Sequence, residues 1–217
     1  MLRWTRGSAP ATALCFSLAL TGCVSEPQIH SSSQHQVVSL KAGDLQRGGV
    51  AFITPSTVTG QEEDKQALAL TVASVMRKSM PDVRCVTLAE TLSLINGAGL
   101  AEDYKRMYVD YRDTSIFKRE ALQRIAEAAR ARYLVQLKLA SFNQGYKSRF
   151  GVLGVRVVDT STTNIRLFFQ IWDSRDGSVA WEANEEVSYA FETAKEDGTT
   201  FRRVVEEATR HIIASLP

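Results

Sequence analysis

The second half of the chain alternates between apolar and polar residues, and this pattern restricts that half to antiparallel β-structure. The alternation runs over residues 133–142 and 164–172, and further strands are predicted over 151–159 and 178–189. A period of two places apolar residues on one face of a strand and polar residues on the other. Residues 173–177 are turn formers, with Gly177 placed for a positive φ, so the last two strands are predicted to form a hairpin.

Residues 143–150 are predicted to be a loop between the first two long strands. The loop contains two aromatic and two basic residues, Tyr146, Phe150, Lys147 and Arg149. Because surface loops often carry binding residues, we predict a partner contact here. A simple connecting loop is the alternative.

The first half of the chain shows helical periodicity interrupted by short apolar segments. Strands are predicted over residues 49–54 and 83–86, and helices over 61–80, 87–97, 101–113 and 117–132, with a last helix from 198 to 216. Thr87 and Glu90 match a capping box. The predicted fold class is α/β (α+β): a single mixed β-sheet with an N-terminal β-α-β unit, a C-terminal antiparallel meander and packed helices.

The N-terminus has the features of an export signal. Arg3 and Arg6 precede an apolar run over residues 11–20, which is too short to cross about 30 Å of hydrocarbon. The residues that follow, Leu20-Thr21-Gly22-Cys23, resemble the lipobox of bacterial lipoproteins. The resemblance implies cleavage between Gly22 and Cys23 and a lipid on the Cys23 thiol. An ordinary signal peptide followed by a chance cysteine is the alternative.

Three segments are therefore predicted. Residues 1–22 are the lipoprotein signal peptide, residues 23–47 are the lipidated cysteine with a flexible tether, and residues 48–217 are a periplasmic α/β domain. The tether is polar and, as a random coil, would reach roughly 25 Å. Val24 and Ser25 follow the lipobox without an Asp, which resembles outer-membrane sorting. The predicted location is the outer membrane, with a lipid anchor and the domain facing the periplasm.

Charge and cysteine content limit the function classes. The chain has 26 Lys and Arg against 24 Asp and Glu, and loss of Arg3 and Arg6 with the signal leaves 24 of each. This balance gives no electrostatic basis for binding nucleic acid. With Cys15 removed and Cys23 acylated, Cys85 is the one remaining thiol, so no internal disulfide can form. Cys85 is predicted to be a small buried core residue.

The sequence contains no recognisable catalytic constellation. The histidines, His30, His35 and His211, have no nucleophile or cysteine beside them. Ser115 and Lys118 match the Ser-x-x-Lys pattern of penicillin-recognising enzymes, but its companion motifs are missing, and a helix-capping serine is the alternative. We therefore predict a protein that is not an enzyme and has no metal and no cofactor apart from the covalent lipid.

Two predicted helices carry clusters of basic residues, which are Lys118, Arg119, Arg124, Arg130 and Arg132, and Arg202, Arg203 and Arg210. Because acidic residues are interspersed, solvated amphipathic faces are predicted, and a docking face for an anionic partner is the alternative. Trp172 and Trp181 flank the predicted turn. They are assigned to packing in the core or at the sheet edge, or alternatively to contact with a neighbouring subunit.

The chain resembles a lipoprotein superfamily that includes CsgG, LpoB and FlgO. The similar features are the lipobox, a first strand at 50–53, a Thr-Gly loop at 59–60, a strand entry at 131–136 and a hairpin at 171–181. Arg132, Gln136 and Asp176 depart from the family pattern. The resemblance implies no catalytic residues. A CsgG-like pore would need two long hairpins, and residues 133–172 hold about one.

The predicted function is a non-enzymatic, lipid-anchored envelope lipoprotein that binds or regulates a protein partner in envelope assembly. The alternative is a component of a transport system: an auxiliary lipoprotein of a lipid-trafficking ABC transporter, or an oligomeric CsgG-like export pore. Expected partners are the membrane, through the lipid anchor, and an envelope protein. Nucleic acid is not expected, and homo-oligomerisation is left open.

Overall fold

One mixed sheet of seven strands organises the residues that the computed structural model describes, which are 28–150, 156–193 and 201–217. The strands are β1 (Gln28–Val37), β2 (Val50–Phe52), β3 (Ser56–Thr57), β4 (Cys85–Val86), β5 (Tyr133–Phe150), β6 (Arg156–Asp173) and β7 (Ser178–Thr193). Their order is β1-β7-β6-β5-β2-β4, and β3 pairs with β5. The long strands pair antiparallel, and β2, β3 and β4 add in parallel. The predicted mixed sheet is confirmed.

Six helices in the described segments cover the sheet. They are α1 (Asp44–Gly48), α2 (Glu62–Ser79), α3 (Leu88–Gly97), α4 (Ala101–Thr114), α5 (Arg119–Ala129) and α6 (Phe201–Ala214). The helices α2 and α6 share one hydrophobic core with the sheet, and α3, α4 and α5 share a second. Helices therefore cover both faces around β2, β4 and the start of β5, as parallel strands require.

The first core follows from the period-two alternation. Leu167, Phe169 and Trp181 on the strands are buried against α2 and α6, whereas Arg166 on the opposite face is exposed. Burial of each such large apolar side chain contributes about 1.5–3 kcal/mol. The alternation along the strands thus supplies the sheet side of this core.

The second core explains how the polar-looking helix α4 is held in place. The Tyr104 hydroxyl accepts a hydrogen bond from the Thr54 backbone N–H at 2.8 Å, and the Tyr108 hydroxyl donates to the Thr54 carbonyl at 2.8 Å. Burial raises the pKa of Tyr108 well above its ordinary value. The Phe117 ring packs edge-on against Tyr108 and against Trp172. Tyrosine side chains therefore satisfy the N–H and C=O groups of Thr54, just after β2 ends.

Part of the predicted tether is an ordered strand. Residues 28–37 form β1, which pairs antiparallel with β7 along its whole length, and α1 follows at Asp44–Gly48. The flexible-tether prediction is therefore wrong for these residues. All ten residues of β1 are exposed, so no apolar alternation marks the strand in the sequence.

The predicted loop at 143–150 is also a strand. Pairing between β5 and β6 continues from Tyr133 opposite Asp173 to Phe150 opposite Arg156. A register shift lies between Leu139 and Ser141. It adds one residue to β5, so the alternation between the two faces of the sheet changes phase there and the period-two pattern of the sequence is interrupted. The two strands predicted at 151–159 and 164–172 are, in the described part, the single strand β6.

Gly177 has the positive φ that the sequence predicts, at 78°, and an added Cβ would lie 2.9 Å from the Arg119 Cβ. We expect Gly177→Ala to lower the free energy of unfolding by about 1–3 kcal/mol, because it adds both backbone strain and a clash. Urea denaturation followed by circular dichroism measures this. Gly97→Ala is the control: that glycine ends α3 with open space around it, so its variant should be at least as stable as the parent. Equal losses in both variants would contradict the interpretation.

Candidate partner-binding surfaces

The lipobox residues Gly22 and Cys23 lie outside the described residues, but the strand register shows which end of the fold they precede. Gln28 pairs with Ala190, and Ala190 pairs with Thr162, which in turn lies opposite Gly145. From Gln28, β1 runs along the sheet in the opposite direction and ends at Val37, which pairs with Trp181. We call the end of the sheet beyond Gln28 and Gly145 the anchor end.

The residues predicted to contact a partner, Tyr146, Lys147, Arg149 and Phe150, lie in the last five positions of β5. Because β1 begins level with Gly145, these positions extend beyond the first residue of β1. They therefore belong to the anchor end, on a strand rather than on a loop.

Ser115 and Lys118 do not form the helical arrangement that a Ser-x-x-Lys site uses. Ser115 follows the last turn of α4 with a left-handed φ of 60°, and α5 begins only at Arg119. The Lys118 ammonium forms an ion pair with Asp110, at 2.9 Å. Ser115 therefore ends one helix instead of capping the start of the next, which corrects the capping alternative.

Most of the predicted basic clusters are paired with acids. The ion pairs are Lys118 with Asp110, Arg119 with Glu120, Arg124 with Asp103, Arg132 with Asp173, Arg202 with Glu206, and Arg210 with Glu206 and Glu207. These pairs fit the predicted solvated faces on α5 and α6. Arg130 and Arg203 are exceptions, since no carboxylate contacts either side chain within the described residues.

Four arginines lie at the end of the sheet opposite the anchor end. Arg84 precedes β4, Arg130 and Arg132 lie between α5 and β5, and Arg175 lies in the β6–β7 turn. Val50 pairs with both Cys85 and Tyr133, and Tyr133 pairs with Asp173, so these segments share one level. We call this group the arginine end. The anchor end lies about 40 Å away, because about twelve residues of β7 separate the two ends and each residue adds about 3.3 Å.

Asp173 forms ion pairs with two of these arginines. The Arg132 Nε atom lies 3.1 Å from both carboxylate oxygens of Asp173, and the exposed Arg175 approaches the same carboxylate at 3.3 Å. The Asp173 side chain is only 4% exposed. Burial raises the pKa of Asp173 above its ordinary value, although Arg132 opposes the shift. Arg132 therefore holds a buried charge, whereas Arg175 is an exposed second partner.

An apolar groove of about 780 Å³ lies beside the arginine end, between α3 and α5. Cys85, Val86, Ala89, Leu94 and Ala128 contribute apolar lining. Arg84 and Arg130 also line this groove, and Glu90, which forms an ion pair with Arg77, lines it as well. The groove thus combines an apolar wall with two guanidinium groups.

Trp172 and Trp181 are both buried, at 5% and 0% exposure. Trp172 packs against Phe117 in the second core, and Trp181 packs against Phe169 in the first. Packing against the sheet is therefore their observed role.

Cys85 is buried, as the sequence predicts, and burial raises the pKa of its thiol. We expect the thiol of the folded protein to react slowly with iodoacetamide at pH 8, because the thiolate is the reactive form. Mass spectrometry of alkylated protein, with urea-unfolded protein as the control, measures the ratio of rates. Equal rates in the folded and unfolded protein would contradict the prediction.

Glu185 is a buried carboxylate that the sequence reasoning missed. It is 0% exposed on β7, and its Oε1 atom lies 2.8 Å from the His211 Nδ1 atom of α6. The second oxygen, Oε2, has no hydrogen-bond partner in the described residues. The His211 Nε2 atom also lies 3.3 Å from Glu207. The only available signal was a charged residue at an inward position of an alternating strand.

Within the parts of the chain that the structure describes, no helix has the length and apolarity needed to cross a membrane. Those same parts hold no group of three or more His, Cys, Asp or Glu side chains arranged to bind a metal ion.

Comparison with known proteins gives structural similarity only. No protein-family model matches the chain, so none confirms the resemblance to CsgG, LpoB and FlgO, and no curated protein matches it. The chain is similar to PelC, solved as a dodecamer, from Paraburkholderia phytofirmans, with 14% identity, a TM-score of 0.47, and coverage of 86% of this chain and 97% of that one. It is also similar to the lipoprotein GNA1162 from Neisseria meningitidis, with 10% identity, a TM-score of 0.44, and coverage of 77% and 98%.

Proposed function

We propose that this chain is a non-enzymatic lipoprotein of the bacterial outer membrane, anchored by lipid on Cys23, whose periplasmic domain binds an envelope protein. The observation that carries the proposal is the position of β1, which begins five residues after Cys23 at the anchor end of the sheet. The lipid would therefore hold the fold by one defined end.

The short connection sets the distance between the domain and the membrane. Only residues 24–27 separate Cys23 from β1, and four residues span at most about 14 Å. The domain therefore stands close to the bilayer, nearer than the reach of a long tether. The final residues of β5, from Tyr146 to Phe150, extend toward the same side, so this end of the strand would lie toward the membrane surface.

The lipid anchor is tested by intact-mass spectrometry and membrane fractionation of the parent chain and of Cys23→Ser. We expect the parent to begin at an acylated Cys23 and to fractionate with the outer membrane, and Cys23→Ser to keep its leader and lack acyl groups. Cys85→Ser is the matched control, because it removes the other thiol of the mature chain and should be acylated normally. An unacylated parent, or one in the inner membrane, would overturn the proposal.

The orientation is tested with single fluorophores and vesicles that contain a lipid-borne quencher. A label at Phe150→Cys should be quenched, and one at Asp176→Cys, in the β6–β7 turn, should not, because the two positions lie at opposite ends of the sheet. Both labels are placed in a Cys85→Ser background. Equal quenching at both positions would show that the sheet does not stand with its anchor end toward the membrane.

A further inference from the structure

Two cations at the arginine end have no carboxylate partner among the residues that the structure describes. Arg84 donates through Nη1 to the carbonyl of Ala129 at 3.3 Å, which places its guanidinium at the C-terminus of α5, next to Arg130. Neither Arg84 nor Arg130 forms an ion pair within the described residues, and both side chains are exposed. Asp173, which could neutralise them, is buried and bonded to Arg132 and Arg175.

The backbone fixes where Arg130 stands. Arg130 adopts a left-handed φ of 51° as the residue that ends α5, and its N–H donates to the Glu127 carbonyl. It lines the apolar groove on one side and, on the other, a shallower depression of about 440 Å³ that includes Glu127, Arg132 and Arg175. Arg130 therefore lies between two concave surfaces. Its left-handed backbone conformation is uncommon for a residue other than glycine.

We propose that the groove between α3 and α5 binds an acidic polypeptide segment of the partner, with a carboxylate on Arg84 and Arg130 and an adjacent apolar side chain against Leu94 and Ala128. The two guanidinium groups, which have no carboxylate partner among the described residues, select an anionic occupant by charge, and the apolar lining selects a side chain next to it. The only carboxylate on the groove wall, Glu90, is already paired with Arg77 and bonded to Thr87.

The location fits a partner that approaches across the periplasm. The groove adjoins the arginine end, about 40 Å from the anchor end by the strand spacing. This part of the inference rests on the proposed lipid anchor, whereas the groove itself does not. A failed acylation test would leave the peptide site intact, so the two proposals fail separately.

The test uses the full chain in detergent micelles and a displayed library of random 12-residue peptides. We expect the selected peptides to be enriched in Asp or Glu next to Leu, Ile, Val or Phe, and the affinity of the best synthetic peptide to fall with added salt. In Arg84→Glu/Arg130→Glu its dissociation constant should rise by at least about tenfold. Ala128→Trp, which fills the groove without changing charge, should weaken binding as well.

Arg106→Glu/Arg203→Glu is the matched control. Both residues are exposed, lie on α4 and α6 away from the groove, and change the net charge equally, so binding should stay within about twofold of the parent. Circular dichroism confirms that each variant is folded. Enrichment without acidic residues, failure to select any peptide, or equal losses in both double variants would overturn the proposal. So would Arg84- and Arg130-dependent binding of oligogalacturonate in place of peptides, which would identify an anionic glycan as the ligand.

Discussion

Arg132→Ala is expected to lower the free energy of unfolding by about 3 kcal/mol, because it leaves Asp173 as a buried carboxylate without its main partner. The pKa of Asp173, already raised by burial, should rise further, since the cation that opposes the shift is gone. Arg132 also lies over the Tyr133 ring at 4.6 Å, so some packing is lost with the charge. Chemical denaturation at pH 7 measures the change in stability.

Two variants separate the buried ion pair from a general loss of charge. Arg175→Ala removes the exposed partner of the same carboxylate and should change stability by less than about 1 kcal/mol. Arg132→Ala/Asp173→Leu removes both charges and should recover much of the lost stability. If Arg175→Ala is as damaging as Arg132→Ala, or if the double variant recovers nothing, the pair does not have the assigned role.

His211→Ala is expected to destabilise the fold by about 2–4 kcal/mol, because Glu185 is fully buried and His211 supplies its hydrogen bond. His211 ties α6 to β7 through this contact. The loss should therefore appear first as detachment of α6, which faster amide exchange in residues 201–214 would reveal.

Glu207→Ala is the control for His211→Ala. Glu207 is the partly exposed partner of the same imidazole, so its removal should change stability by less than about 1 kcal/mol. Glu185→Leu/His211→Leu should be close to the parent, since it replaces a buried polar pair by apolar side chains. A double variant as unstable as His211→Ala would show that the imidazole matters for packing and not for the buried carboxylate.

The sequence was most informative where one face of an element is buried. Leu167 and Phe169 alternate with exposed Arg166, and this pattern predicts both the strand and its inward face. The capping box of Thr87 and Glu90 and the positive φ of Gly177 were also predicted correctly, because both depend on local chemistry. The mixed sheet followed from the change of period along the chain.

The errors share a physical cause. The strand β1 is exposed on both faces and is held by backbone pairing with β7, so its side chains contain no periodic signal. The outer parts of β5 and β6 continue through a register shift that changes the phase of the alternation. The groove and the arginine end depend on Arg84 and Arg130, which are 46 positions apart (130 − 84) and meet only through the pairing of β2 with β4 and β5.

The pairing of β1 with β7 joins two distant parts of the chain at the edge of the sheet. Gln28 can form its pair in β1 only when Ala190, 162 positions later (190 − 28), is available. Such a distant contact forms late in folding. A chain shortened before β7 would therefore leave β1 without the backbone partner that holds it to the sheet.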